Sequence, residues 1–365
     1  MQRGLAFAVL PTSGNLADVS AQTQPDGMSP RMSEPTMFEE DLPDAAVVTR
    51  AREAGGPEVF ETAEVPAPTP GRGQLLVKTA AAGVNFIETY QRAGVYPVEY
   101  PFVPGSEGVG EVIAIGDGVE GFSTGQRVAS TEASGTYSTH FLVDASKAVA
   151  VPDGVTDEQA AALPLQGVTA HYLINSTYRV SPGETVLTHA GAGGVGQILT
   201  QLLKARGARV ITTTSTPEKA EIAEAAGADY VLGYADFAEK VREITNDTGV
   251  SVVYDGVGKD TFTGSLDSLA VRGTMVLFGG ASGQVPPYDL QDLNKRGGLY
   301  ITRPAVHWYL RNAEERTWRF TELFAALTSG DLKLSIGGVY PLAEAGRAHQ
   351  DLEGRKTTGK LLLKP

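Results

Sequence analysis

The chain has 365 residues, enough for two domains with substantial cores. Its formal charge of −13 argues against an electrostatic nucleic-acid footprint or attraction to an anionic membrane. With no cysteine it lacks disulfides, a thiol nucleophile and any thiolate zinc site, and the five histidines (His140, His171, His189, His307, His349) are scattered without ligand spacing.

In chain order, residues 1–44 come first, rich in Ser, Thr, Pro and Asp with little periodicity, so a disordered extension is expected. The apolar run Leu5–Leu10 is too short for a signal-peptide core. Met1, Met28, Met32 and Met37 all fall here, a pattern that fits translation starting at Met37. Residues 45–150 then read as β-rich, with short strands such as Leu75–Lys78 and Gly110–Ile115 between glycine-rich turns. Val155 to Ser176 reads as helical in parts. Residues 183–300 alternate strand and helix, with strands at Val186–Thr188, Val210–Thr213, Tyr230–Leu232, Val252–Asp255, Met275–Phe278 and Leu299–Ile301. This alternation predicts a doubly wound parallel sheet. A helix bearing Trp318, Phe320, Leu323, Phe324 and Leu327 follows, then β-like segments at Gly337–Tyr340 and Lys360–Leu363. Those late strands have no partners in a finished nucleotide domain, so they are expected to return to the N-terminal β-domain.

The most informative segment is 183–219. Val186-Leu187-Thr188 runs into Gly191-Ala192-Gly193-Gly194-Val195-Gly196, then into a helical pattern. Ile198, Leu199, Leu202 and Leu203 form one face of that helix, Gly207 is placed to end it, and the strand Arg209–Thr213 comes next. This is the order of a dinucleotide-binding unit. Gly191 is expected to make the tight turn, Gly193 to admit backbone amides to a pyrophosphate, and Gly196 to let helix pack on strand. The first helical turn, Gly194 to Gly196, presents unpaired N–H groups and a positive dipole end.

The second strand identifies the nucleotide. An NAD-preferring site places Asp or Glu roughly 20 residues past the glycines, on the ribose 2′-hydroxyl. Here that stretch is Thr212-Thr213-Thr214-Ser215-Thr216, with no carboxylate to repel a 2′-phosphate. Thr216 reads as an N-cap and Pro217 as the first helical residue, which makes Lys219 the third. A cation there opposes the helix dipole unless a phosphate joins it, so the expected cofactor is NADPH.

The chain resembles the quinone oxidoreductase/zeta-crystallin family of zinc-independent medium-chain dehydrogenases/reductases. Gly183-Glu184-Thr185-Val186-Leu187, the glycine loop, Gln201 and Lys204 fit the family signature. Asn85-Phe86-Ile87-Glu88-Thr89-Tyr90, Arg92–Pro97, Pro104-Gly105-Ser106-Glu107, Asp255-Gly256-Val257-Gly258 and Leu299–Pro304 extend the likeness from about residue 45 to 365. The resemblance implies an α/β fold, with a Rossmann doubly wound parallel sheet plus a GroES-like β-rich catalytic domain built from both chain ends. The expected division is 45–165 and 306–365 for the catalytic domain and 166–305 for the Rossmann domain. It also implies a homodimer; a cytoplasmic setting is expected, and the acidic balance leaves no membrane or nucleic-acid partner expected.

By the same resemblance, Ser215, Lys219 and Tyr234 would surround the 2′-phosphate, and Arg355 would help hold the phosphates. Phe278 and Gly279 join the cofactor site. Asn85 and Thr169 would sit at the nicotinamide end, and Tyr90, Arg92 and Tyr96 would line the acceptor pocket. The sequence departs from relatives at Ser215 (often Gly), Gln166 (Lys in some) and Gly280 (Asn in some).

The implied chemistry agrees with the residue inventory. A quinone ring already accepts hydride and needs no metal to polarise it. The protein's task is then to position the donor and to hydrogen-bond the developing phenolate oxygen. Reduction of a small quinone, by hydride or by single electrons, is the leading expectation. The alternatives are NADPH-dependent reduction of an activated alkene such as an enone or 2-alkenal, and a structural or RNA-binding role of crystallin type.

Overall fold

The computed structural model describes residues 42–354 and 357–365. The expected disorder of 1–44 and the Met37 start therefore lie almost wholly outside the described residues, as does Arg355. In chain order the first half contains β1 (Ala45–Ala51), β2 (Phe60–Pro66), β3 (Gln74–Val84), α1 (Phe86–Arg92), β4 (Gly108–Ile115), β5 (Arg127–Ser130), β6 (His140–Asp144), β7 (Val149–Ala150), α2 (Asp157–Ala162) and α3 (Pro164–Tyr172). The alternating region contains β8 (Thr185–Thr188), α4 (Gly194–Ala205), β9 (Arg209–Thr213), α5 (Pro217–Ala225), β10 (Tyr230–Leu232), α6 (Phe237–Ile244), β11 (Val250–Asp255), α7 (Phe262–Asp267), β12 (Leu269–Leu277), α8 (Gln291–Lys295) and β13 (Tyr300–Thr302). The tail adds α9 (Ala313–Ser329), β14 (Ile336–Pro341), α10 (Ala345–Glu353) and β15 (Lys360–Lys364).

β8 to β13 form one six-stranded sheet in the order β10-β9-β8-β11-β12-β13, with every pairing parallel. Its inner strands are buried on both faces, with Val186, Leu187, Val252 and Val253 all inaccessible. That explains their unbroken apolar runs. The order reverses between β8 and β11, the switch point at whose carboxyl ends open α/β sheets place their ligand crevice.

A seven-stranded, mostly antiparallel sheet takes β3 to β7 from the first half and β14 and β15 from the tail. β15 lies between β14 and β3, pairing Leu361, Leu362 and Leu363 with Val84, Gly83 and Ala82. The two late β-like segments therefore do return to the N-terminal sheet. β1 and β2 form a separate antiparallel pair, bridged through Val48 to Ser138 in the segment leading into β6.

One hydrophobic core joins the two sheets. It includes Ala81 and Val109 from the first sheet, Val168 and Leu173 at and just after α3, Val186 and Tyr254 from the second sheet, and Phe320, Leu323 and Phe324 of α9. Trp318 departs from the apolar face expected for α9. It is 40 % exposed, with its Nε1 donating to Glu322 at 2.6 Å while its ring packs edge-on to His171. An indole N–H needs a partner, and the surface supplies one.

Candidate active site

The loop after β8 runs directly into α4, and each glycine position has a specific steric cause. The tight turn is made by Ala190, which has φ 56°, rather than by Gly191. Gly191 is needed because a Cβ there would overlap the Thr212 side chain on β9 and approach Ala223 at 3.1 Å. A Cβ on Gly196 would run into the Ala190 carbonyl, so helix–strand packing does depend on it, as expected. Gly193 is the N-cap of α4 and has no side chain to cap with. The first-turn N–H groups of Gly194, Val195 and Gly196 therefore have no acceptor within the helix, leaving an anion-binding terminus. Gln166 lies against Gly194, where a Cβ would overlap its amide. At the far end, Gly207 takes φ 76° and its N–H donates to Lys204 O at 2.9 Å, closing α4 where expected.

Beyond β9, Thr212, Thr213 and Thr214 are buried, while Ser215 and Thr216 are exposed. Thr216 caps α5 by accepting the Lys219 N–H, and Pro217 is the first helical residue. Among the described residues of this stretch no carboxylate stands beside Ser215 except Glu218, one residue before Lys219. Tyr234 stacks 6.2 Å from the His189 ring beneath it. His189 is itself the middle of a buried hydrogen-bond chain. Ser265 Oγ donates to Asp255 Oδ2 at 2.9 Å, so it accepts from His189 Nε2–H at 2.9 Å, and Nδ1 accepts from Thr213 at 2.8 Å. Burial holds the imidazole pKa down despite Asp255, which keeps the ring neutral. Asp255 also accepts the N–H groups of Val257 and Gly258, so one carboxylate shapes the loop after β11.

The other wall of the crevice is the end of β12. Phe278 and Gly279 both donate backbone N–H to Asp255 O, and a Cβ on Gly279 would overlap Gly256. Tyr90 reaches across from α1, its hydroxyl donating to Gly280 O at 3.2 Å. Tyr96 packs edge-on to Tyr90 at 5.8 Å and is 37 % exposed. Asn85, the N-cap of α1, and Thr169 in α3 are each largely buried.

Arg92 does not join the two tyrosines, and the expectation that it lines the acceptor pocket is corrected. Its guanidinium is buried, donating to Gly55 O at 3.0 Å and to both carboxylate oxygens of Glu353 at 3.1 and 2.9 Å. It also meets His349, whose other nitrogen bonds Tyr137 at 2.9 Å. Residues two apart on a helix point to different sides, so Tyr90 and Arg92 cannot share a pocket. Burial and the Arg92 charge push His349 down to about 3, so it stays neutral.

Three charged residues without an assigned role in the sequence reading gather around Asn85. Glu88 Oε2 accepts the Asn85 backbone N–H at 2.7 Å, while its Oε1 has no partner among the described residues. Burial raises the Glu88 pKa to about 7, against the opposing pull of Lys360. Glu107 and Lys360 are both buried and paired with each other. The signal in the sequence was a lone lysine opening the apolar run Leu361–Leu363, a charge in a strand that must be buried. The chain also passes from this cluster to the glycine loop in one residue. Gly359 forms a bridge to Gly193, and its N–H donates to Ala192 O at 3.4 Å.

Similarity to known proteins agrees with this geometry. Residues 71–153 match the model of an alcohol dehydrogenase GroES-like domain, and residues 194–315 match that of a zinc-binding dehydrogenase. A quinone oxidoreductase of Pseudomonas aeruginosa is 44 % identical over 317 residues, covering 85 % of this chain and 97 % of the relative. The chain belongs to the quinone oxidoreductase family. Within this family, a mycobacterial protein solved in complex with NADPH superposes with a TM-score of 0.86 at 53 % identity, over 87 % of this chain and all of the other. A 2-haloacrylate reductase of a Burkholderia species is 43 % identical over 321 residues, 85 % of this chain and 96 % of the relative. Among the described residues of this quinone oxidoreductase family member, no group of three His, Cys, Asp or Glu is arranged to hold a metal ion.

Proposed function

We propose that this protein is an NADPH-dependent quinone reductase, passing hydride, or electrons one at a time, to a small quinone without a metal. The observation that carries the reading is the pairing of Tyr90 with Gly280, which sets a tyrosine-lined wall of α1 against the carboxyl end of β12 beside the glycine loop. The arrangement fits a dinucleotide because Gly193 leaves the α4 terminus without a side-chain cap and Gly279 keeps the opposite wall free of side chain. In our reading Gly191, Gly193, Gly194, Val195 and Gly196 meet the pyrophosphate, with Arg355 assisting. Ser215, Lys219 and Tyr234 meet the 2′-phosphate, and Thr169, Phe278 and Gly279 flank the nicotinamide.

Bound NADPH supplies a hydride at its nicotinamide ring. Asn85, Tyr90 and Tyr96 orient the acceptor and exclude water, with Tyr90, its hydroxyl held by Gly280 O, offering its ring face, and the Asn85 N–H and Tyr96 O–H stabilising negative charge developing on a carbonyl oxygen. Arg92 acts at a distance by bracing α1 against α10. The division into 45–165 with 306–365 and 166–305 follows the two sheets and is part of the same proposal, as is a cytoplasmic setting. The exposed Tyr300 on edge strand β13, with exposed Val271 on the neighbouring strand β12, three residues before the Tyr300 partner Thr274, supports a homodimer, which light scattering in solution would test.

The haloacrylate-reducing relative favours a second reading, reduction of an activated alkene through the same cleft. NADPH oxidation measured in parallel with 1,4-benzoquinone and a 2-alkenal separates the two. Turnover with the quinone is expected. Turnover with the alkenal alone would replace the first reading by the second.

A further inference from the structure

The Asn85 side chain is gripped from two sides by residues that are distant in sequence. Its Oδ1 accepts from Lys360 Nζ at 2.6 Å, and its Nδ2 donates to Glu107 Oε2 at 2.9 Å. Lys360 Nζ also donates to that same Glu107 oxygen. The other Glu107 oxygen accepts the Leu165 backbone N–H at 2.7 Å, in the first turn of α3, four residues before Thr169. The space for this arrangement comes from Gly83, where a Cβ would overlap both the Glu107 carboxylate and the Lys360 side chain.

Chemistry fixes the direction of the amide. An ammonium can only donate, and a carboxylate can only accept. Turning the Asn85 amide over would set its NH2 against Lys360 and its oxygen against Glu107, replacing two charge-assisted hydrogen bonds by two repulsions. One Nδ2–H then remains without a partner among the described residues. Asn85 is the only member of the trio with appreciable exposure, 9 % against 0 and 1 %.

We propose that Glu107 and Lys360 are positioning residues for the reaction: as a buried clamp they lock the Asn85 amide in one orientation, present its single remaining N–H to the reacting end of the cleft, and tie that orientation to α3. The proposal rests on the reading of Asn85 as part of the reductase site. The clamp uses no proton transfer and no metal. Its cost is a buried ion pair, which packing alone would not require, since a well-packed apolar replacement is often equally stable.

The test compares Lys360→Met, Glu107→Gln, Asn85→Ala and the double variant Lys360→Met/Asn85→Ala in the full-length protein, with 1,4-benzoquinone as acceptor. Lys360→Met and Asn85→Ala are each expected to lower kcat about 10- to 100-fold, the range of a lost oriented donor. The NADPH dissociation constant should change less than threefold. The double variant should be no slower than Asn85→Ala, because the clamp acts only through that amide. Multiplying losses in the double variant would overturn the proposal. A second measurement is independent of turnover. Side-chain amide hydrogen exchange of Asn85, assigned by its absence in Asn85→Asp, should be slow in the unliganded protein and fast in both Lys360→Met and Glu107→Gln. Unchanged exchange in the folded Glu107→Gln variant would overturn the clamp even if Lys360→Met failed to fold. If Asn85→Ala turned over normally while exchange behaved as expected, the site reading would fall and with it the functional claim for the clamp.

Discussion

The glycine loop at 190–196 and the polar cluster around Asn85 meet at consecutive residues, Gly359 and Lys360, yet they are made in different ways. The loop is a local object. One strand, one turn and one helix produce it, its donors are backbone N–H groups, and what matters is the absence of side chains. The cluster is assembled from side chains, on segments 22 and 275 residues from Asn85, and exists only once the whole sheet has formed. Loops of the first kind fail through added bulk. Clusters of the second kind fail through a missing or altered charge.

That difference gives an order of expected effects. The largest should follow from adding bulk to the loop. In Gly196→Val the new side chain must displace the Ala190 carbonyl, which is backbone and cannot swing aside. NADPH affinity, measured by fluorescence titration, should fall more than about 100-fold, and stability by about 1–3 kcal/mol. Normal binding by this variant would show that α4 does not pack as described.

The next effect probes charge in the cluster. Unfolded glutamate titrates near 4.5, whereas buried Glu88 holds its proton to about 7. Its stabilising contribution is therefore complete below pH 4.5 and lost as pH rises through 7, about 3 kcal/mol in all. Glu88→Gln cannot ionise, so denaturant titrations should find its advantage over the parent growing by that amount between pH 4.5 and 8. A constant difference across this range would mean that Glu88 ionises freely in the folded chain. His349, with its pKa held down, works in the opposite direction, opposing folding as pH drops below its ordinary value of 6.5.

Smaller effects belong to the adenosine end. Lys219→Ala should weaken NADPH binding by about 1–3 kcal/mol and leave NADH nearly unchanged. Equal losses for both cofactors would remove Lys219 from the 2′-phosphate. Thr216→Ala, which deletes the α5 cap, should cost about 1 kcal/mol in thermal unfolding and change the preference between cofactors little.

The sequence made the local object readable and left the assembled one largely hidden. All six parallel strands, the α4 stop at Gly207 and the Thr216-Pro217 start of α5 follow from short-range rules of periodicity and capping. The turn residue was misplaced by one, because Ala190 rather than glycine adopts the left-handed conformation. Grouping Asn85, Tyr90, Arg92 and Tyr96 by closeness in sequence also misled, since helical spacing sends Arg92 towards α10. Glu107 and Lys360 were visible as letters within a motif and a strand. Their pairing depends on β15 inserting beside β3, which no local pattern encodes.

The placement of β15 also orders events during synthesis. The parallel sheet is complete once residue 302 has been made, and the chain that forms it is contiguous. The first sheet, begun at residue 74, must wait with an open edge until residue 364 emerges. Clipping a handful of residues from the carboxyl end would therefore reopen β3 to the wrong neighbours and strand Glu107 without its cation. A ribosome-stalled series of nascent chains, probed by protease, should find the second-made half resistant before the first-made half.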